Sequence, residues 1–420
     1  MMVSSDSTSP IDYERIILKR LIEIVLVVIV AIASVIAAVE LIPALDLNKD
    51  SPMPEDFHFG VSFGGNTTQD AKVLIDKVKE FTNLFVVQSG PVEVNETAMN
   101  EIVDYAVNSG LDVIVAFGYF NPNYTWQVPW LDYAKQTWKR HFLGIYMHDE
   151  PGGTTIDFNW TRYFKQLSIR NSSSYYEHEP SIDLAMNGTL PLNDYTLEQS
   201  AYHFVTSLQT DPDLNQLENR SIPAFTSDYA LYWFDYLGGY DTIFAEFGSN
   251  QSITQPIAMA RGAATMQNKT WGTIITWTYD QPPYLVNGTE MYNQLVAGYT
   301  AGAKYEIIFD YPTITGNPYG ILTQDQFDAM QKFWNNIPTL KIDDKAEAAL
   351  VLPPNFGSGF SNPQEDIWGL WPPNNNSTLI YNNMQTLLSR YGTRLDVVYD
   401  DPHYPLEGNF TQVYWWNQTP

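Results

Sequence analysis

The sequence predicts an α/β chain built as a (β/α)8 TIM barrel, with an N-terminal transmembrane helix and a small C-terminal α/β domain. Three observations carry that prediction. From Phe57 onward, short apolar runs alternate with segments of helical period, and eight such runs can be counted before Leu340. Ahead of them, Leu21 to Ile42 is almost entirely apolar. Behind them, the alternation restarts briefly between residues 345 and 420.

The elements follow in order. FHFGVSFGG (57–65) reads as the first strand, and Asp70 to Phe81 as an amphipathic helix with Val73, Leu74, Ile75 and Val78 on its apolar side. NLFVVQSG (83–90) is the second strand. Glu96 to Asn108 is a helix with Met99, Ile102, Val103 and Ala106 at helical spacing, closed by Gly110. LDVIVAFGYF (111–120) is the third strand, Trp130 to His141 the third helix, and LGIYMHDE (143–150) the fourth strand. Residues 154–200 are polar and Tyr-rich and break the pattern. They read as an insertion with helical pieces near Trp160–Leu167 and Leu197–Gln209. IPAFTSDY (222–229), DTIFAEFG (241–248), WGTIITWTYD (271–280) and KYEIIFDYP (304–312) complete the strands. Thr254–Gln267, Glu290–Ala303 and Gln324–Asn336 are the helices between and after the last three. No glycine-rich GxGxxG turn or phosphate loop follows any strand, which disfavours an open doubly wound sheet. In the appendage, AALVLP (348–353), LDVVYDDP (395–402) and FTQVYWWN (410–417) are strands and Leu379–Tyr391 a helix.

Composition narrows the function. The 420 residues carry a net charge of -26, so nucleic acid is excluded as a partner. Charged residues are 17%, below the usual ~25%, so the acidity reflects scarce Lys and Arg. There is no cysteine, which removes disulfides, thiolate metal sites and cysteine nucleophiles. The six histidines show no metal-ligand spacing, no GxSxG elbow is present, and no motif calls for a cofactor.

The apolar run predicts a single-pass anchor in the cell membrane. Arg15, Lys19 and Arg20 precede it, and Glu40, Asp46 and Asp50 follow. The positive-inside rule then places residues 1–20 in the cytoplasm and everything after the 43–56 linker outside. A cleaved signal peptide ending near Ala37 and Ala38 is the alternative, and the length of the run favours the anchor. Asn-X-Ser/Thr begins at 14 of the 30 asparagines, against about four or five by chance for a random match. That excess predicts a glycosylated outer surface.

In a parallel barrel the strand ends converge on one rim, where chemistry is placed. Glu150 ends strand four beside Asp149, and Glu246 ends strand six. Two carboxyls in one cleft can divide the labour of glycoside hydrolysis, one donating a proton and the other acting ionised. These two are the catalytic candidates, Glu150 as general acid/base and Glu246 as the ionised partner. His148, Asp149, Tyr119, Asn121, Asp228, Trp277, Tyr279, Asp280 and Asp310 lie at the same predicted rim. They are the candidates for holding a carbohydrate substrate, because sugar faces stack on rings and hydroxyls need polar partners. The plainer alternative is that Glu150 caps its turn or pairs with Arg162. A surface protein that binds glycans without turnover would fit the same features.

GIYMHDEPGG resembles the Asn-Glu-Pro ending of strand four in clan A glycoside hydrolases. The resemblance implies that Glu150 is the acid/base, with Pro151 at the position of the family's proline. Asp149 stands where that family has the asparagine whose amide holds the sugar 2-hydroxyl. The family's nucleophile ends strand seven, whereas here strand seven ends in TYD and the glutamate lies on strand six. A pair on strands four and six is similar to another glycosidase clan that uses aspartates. In placement, Ala348 to Pro402 resembles the flavodoxin-like domain that follows the barrel in some β-galactosidases.

Overall fold

The computed structural model describes residues 54, 56–157, 196–248, 252–311 and 316–420. Eight parallel strands close into a barrel in chain order: β1 (His58–Phe63), β2 (Leu84–Val87), β3 (Asp112–Phe117), β4 (Phe142–Met147), β5 (Ala224–Asp228), β6 (Thr242–Phe247), β7 (Thr270–Ile275) and β8 (Tyr305–Ile308). β8 pairs back on β1, with His58 opposite Tyr305. Helices cover the outside: α1 (Thr68–Val78), α2 (Gly90–Glu93), α3 (Glu96–Asn108), α4 (Gln127–Thr137), α5 (Pro151–Asp157), α6 (Leu197–Gln209), α7 (Pro212–Glu218), α8 (Tyr232–Gly238), α9 (Thr254–Gln267), α10 (Gly288–Thr300) and α11 (Gln324–Asn336).

Alternation of side chains fixes what fills the barrel. Leu84, Val86, Ile114, Ala116, Tyr146, Phe225, Phe244, Ile274 and Ile307 form one buried interior cluster. Its centre is aromatic: Phe225 and Phe244 stack at 5.7 Å, and Tyr146 lies parallel to Phe244 at 6.3 Å. The helices start where capping chemistry allows. Thr67 accepts from the Asp70 amide ahead of α1, Asn95 from Ala98 ahead of α3, and Asn287 from Glu290 ahead of α10. Asn268 ends α9 in a left-handed conformation at φ +52°. Asn95, Asn268 and Asn287 each begin an Asn-X-Ser/Thr triplet, so helix capping accounts for part of that excess.

After the barrel, β9 (Ala348–Leu352), α12 (Asn375–Tyr391), β10 (Leu395–Tyr399) and β11 (Gln412–Trp415) form a parallel three-stranded sheet in the order β10–β9–β11 with its helix. It packs on α9. A side chain at Gly262 would meet the Val397 carbonyl at 2.4 Å, so only glycine permits that approach. The preceding residue, Arg261, forms a buried ion pair with Asp396 at 2.8 Å.

The barrel and the appendage match the sequence expectation. The strand ends do not: β7 stops at Ile275 rather than running to Asp280, and β4 stops at Met147. α5, α7 and α8 were not anticipated, because each is a single short turn-rich helix with no long period to read. The residues expected to form the anchor, 21–42, and most of the segment expected as an insertion, 154–200, lie outside the described residues. Among the described residues no helix is long and apolar enough to cross a membrane.

Candidate active site

The C-terminal ends of β4 and β6 open into a cavity of about 390 Å³, lined by Glu150, Glu246, Tyr229, Tyr232, Met259 and Trp277 among others. Glu246 reaches it by parity. Phe244 points into the barrel, so Glu246, two residues on, does too.

Glu150 arrives differently. His148 and Glu150 both have left-handed backbones, at φ +58° and +50°. Such conformations cost non-glycine residues energy and concentrate at functional sites. They end the alternation after Met147 and bring Asp149 back over the barrel, where its carboxylate accepts from the Tyr146 hydroxyl. The Glu150 amide donates to the Ser227 carbonyl at 3.1 Å, which ties the turn to β5.

The next residues, Pro151 to Asp157, form α5. Its opening Gly152 and Gly153 amides donate to Asp228 at 2.6 and 2.8 Å. The two glycines are required: a Cβ at Gly153 would lie 2.1 Å from the Tyr229 ring, and one at Gly152 would lie 2.7 Å from Leu231.

Beneath the cavity runs a chain of hydroxyls. Ser227 Oγ donates to Glu246 Oε1 at 2.6 Å and lies 2.8 Å from Tyr146 Oη, which in turn contacts Asp149. Burial, and then the negative charges of Glu150 and Asp149, push the Glu246 carboxyl well above its ordinary range, against the pull of Ser227. Asp149 is an exposed residue whose carboxyl is crowded by protein, and burial raises that carboxyl while the Tyr146 hydrogen bond opposes. Tyr146 is held neutral by burial and by Asp149. Asp235, on α8 beneath the site, is fully buried, and neither carboxyl oxygen has a hydrogen-bond partner. Burial, and then the charge and close side chain of Asp228, push its carboxyl well above the ordinary range. Trp277 is 38% exposed and stands on Tyr284, Phe309 and Tyr311 at 5.0, 5.4 and 6.4 Å, an aromatic wall beside the two glutamates.

Of the candidates read from sequence, Glu150, Glu246 and Trp277 line the cavity, and Asp149 is tied to Glu246 through Tyr146 and Ser227. The others are placed elsewhere. Asp228 is fully buried and accepts four backbone N–H groups, from Gly152, Gly153, Tyr229 and Ala230. It holds the loop and the start of α5. Asp310 is 3% exposed, accepts from the Ile321 amide at 2.8 Å, and ties down its own loop. Strand parity puts both on outward positions, each one residue after an inward-facing one, away from the barrel interior. His148 turns its ring to Asp211, which caps α7. Tyr119 and Asn121 bond each other at 3.0 Å on the β3 rim, outside this cavity. Tyr279 and Asp280 are exposed beyond the end of β7, outside the lining.

Tyr146, Ser227, Tyr232 and Asp235 were missed as site residues. The signal for two of them was available: Tyr146 and Ser227 share the inward face with Phe225 and Phe244.

No protein-family model matches the chain, and no curated protein matches it. Among solved structures, a catalytic mutant of a GH42 beta-galactosidase from G. stearothermophilus superposes with a TM-score of 0.51 and 12% identity, covering 87% of this chain and 68% of that one. A GH5_18 protein from Bifidobacterium longum subsp. infantis gives a TM-score of 0.46 and 12% identity over 87% and 97%. An exo-beta-1,4-mannosidase from Opitutaceae bacterium strain TAV5 gives 0.45 and 10% over 86% and 72%. The likeness is one of fold.

Proposed function

We propose that this chain is a glycoside hydrolase whose two working carboxyls are Glu150 and Glu246. The observation that carries the reading is their joint lining of one cavity at the C-terminal rim, walled by Trp277. The electrostatics divide the labour. Glu246, enclosed and repelled by Glu150 and Asp149, holds a proton and serves as donor to the leaving oxygen. Glu150, the second carboxyl of the cavity, is then assigned the ionised role. This reverses the roles that the strand-four resemblance implies. The aromatic wall suits stacking of a neutral sugar ring. The sequence supports an anchored, extracellular placement through the Leu21–Ile42 run and its charge asymmetry.

The roles are tested on a glycan panel with paired substrates. Glu246→Gln should cut turnover on natural glycans by about 10²–10⁴-fold and spare an aryl glycoside whose leaving group needs little protonation. Glu150→Gln should abolish both. Wild-type turnover in either variant, or no turnover in the parent on any glycan, sinks the reading and leaves a glycan-binding protein.

A further inference from the structure

Three side chains lead from an exposed residue, Asp149, to the Glu246 carboxyl. Asp149 contacts Tyr146 Oη, Tyr146 Oη lies 2.8 Å from Ser227 Oγ, and Ser227 Oγ lies 2.6 Å from Glu246 Oε1. Three hydrogen bonds need three protons. The two hydroxyls supply one each, and ionised carboxylates supply none. The chain is therefore complete only when one of its two carboxyls is protonated. With the proton on Asp149, Asp149 donates to Tyr146, Tyr146 to Ser227, and Ser227 to Glu246. With the proton on Glu246, every bond runs the other way. Shifting the three hydrogens together converts one arrangement into the other, leaves both hydroxyls neutral, and moves one net proton between the ends.

We propose that Asp149, Tyr146 and Ser227 form a proton-return path that reloads Glu246 from solvent. The inference rests on the reading of Glu246 as the donor. Once Glu246 has given its proton to a leaving oxygen, the chain is one proton short. Asp149 is the end that solvent reaches. It takes a proton from water there, and the concerted shift delivers one to Glu246 Oε1. Asp149 ends ionised, as it began. Packing fixes the middle of the path: Tyr146 is stacked on Phe244 and buried inside the barrel, and Ser227 projects inward beside Phe225. The titratable groups facing Glu246 are Glu150 and Asp149 from the end of β4, Tyr146 within β4, Asp228 from β5 and Tyr232 from α8. All are acids or phenols, so the path carries a proton into a negative site. Tyr146 and Ser227 are positioning residues, since neither lines the cavity.

The test is a titration of the substrate-free full chain, with the Glu246 carboxyl followed by 13C NMR against the Glu246→Gln spectrum. Asp149→Asn removes a neighbouring charge and supplies an amide donor that locks the chain in the direction that leaves Glu246 ionised. The Glu246 midpoint should fall. In the Tyr146→Phe background the path is cut and only the through-space charge effect remains, so Asp149→Asn should lower the midpoint less. Ser227→Ala cuts the path at its other link and should likewise shrink the Asp149→Asn effect. It should also raise the Glu246 midpoint, because a donor to the carboxylate is lost. Equal falls in all three backgrounds would overturn the path and leave simple repulsion. The titration needs no turnover. Coupling through Tyr146 with an inert glycan panel would therefore refute the hydrolase and not the path. Turnover with no coupling would do the reverse.

Discussion

Arg261 is the best place to test how the small sheet is held on the barrel. Its guanidinium is 1% exposed, pairs with Asp396 at 2.8 Å, and donates to the carbonyls of Thr393 and Leu395 at 2.6 and 3.2 Å. Arg261→Met keeps the bulk and deletes the charge. Removing one partner of a buried pair costs about 3–5 kcal/mol, because the other charge is left unsolvated. Asp396 has a partial escape. Burial outweighs Arg261 and already pushes its carboxyl up to about 6. Below that pH the carboxyl is largely neutral and the variant loses mainly the carbonyl hydrogen bonds to Thr393, Leu395 and, longest at 3.4 Å, Ala301, about 2–3 kcal/mol net together. The expected loss is therefore about 2–3 kcal/mol at pH 5 and about 3–5 kcal/mol at pH 8, read as the shift in urea-unfolding free energy. Adding Asp396→Leu should recover most of the pH 8 loss. A loss that is equal at the two pH values, or larger at pH 5, would refute the account of Asp396 as the buried, titrating partner.

Three further outcomes follow from named contacts. Gly262→Ala places a methyl 2.4 Å from the Val397 carbonyl and should destabilise the chain by about 1–3 kcal/mol; an unchanged urea midpoint would contradict the close approach of α9 to β10. Burial raises Asp310 to about 7, so the folded state binds more protons than the unfolded one between about 4 and 7, and stability falls as pH rises through that window. That one group is worth about 3 kcal/mol between pH 5 and 8 at 1.36 kcal/mol per unit, and Asp310→Asn should flatten the decline by a comparable amount in parallel urea series. Trp277→Ala should raise KM about 2- to 10-fold with kcat kept, the loss of about 0.5–1.5 kcal/mol of ring stacking; a fall in kcat at unchanged KM would place the ring at the reacting bond instead.

Much of the barrel was legible because its signals are long. Eight apolar runs at regular intervals leave few alternatives, and α1, α3, α9 and α11 carry either clear periods or good caps. What was not legible is short. α5 begins at a Pro–Gly–Gly sequence that reads as a break. It is helical because Asp228, distant in sequence, collects the Gly152 and Gly153 amides. α8 starts from Leu231 at φ +51°, a conformation that no local propensity announces.

The site divides along the same line. Polar residues near strand ends were read as equivalent, yet a strand gives its two faces to different environments. On β5, Phe225 faces the barrel interior, so Ser227 reaches Glu246 while Asp228 turns outward to α5. On β8, Tyr305 and Ile307 face inward, so Asp310 falls on the outer side and ties a loop. On β6, Phe244 predicts that Glu246 points in, as it does. Parity counted back from the interior aromatics would have exchanged Asp228 and Asp310 for Ser227 and Tyr146. It would still have failed at β4, where His148 leaves the extended region and the count with it. There the rule yields to a strained turn, and that turn sets Glu150 on the cavity and Asp149 on Tyr146. The strain needs a compensating reason. The anchoring of Glu150 to Ser227, of Asp149 to Tyr146 and of α5 to Asp228 supplies the bonds that hold it.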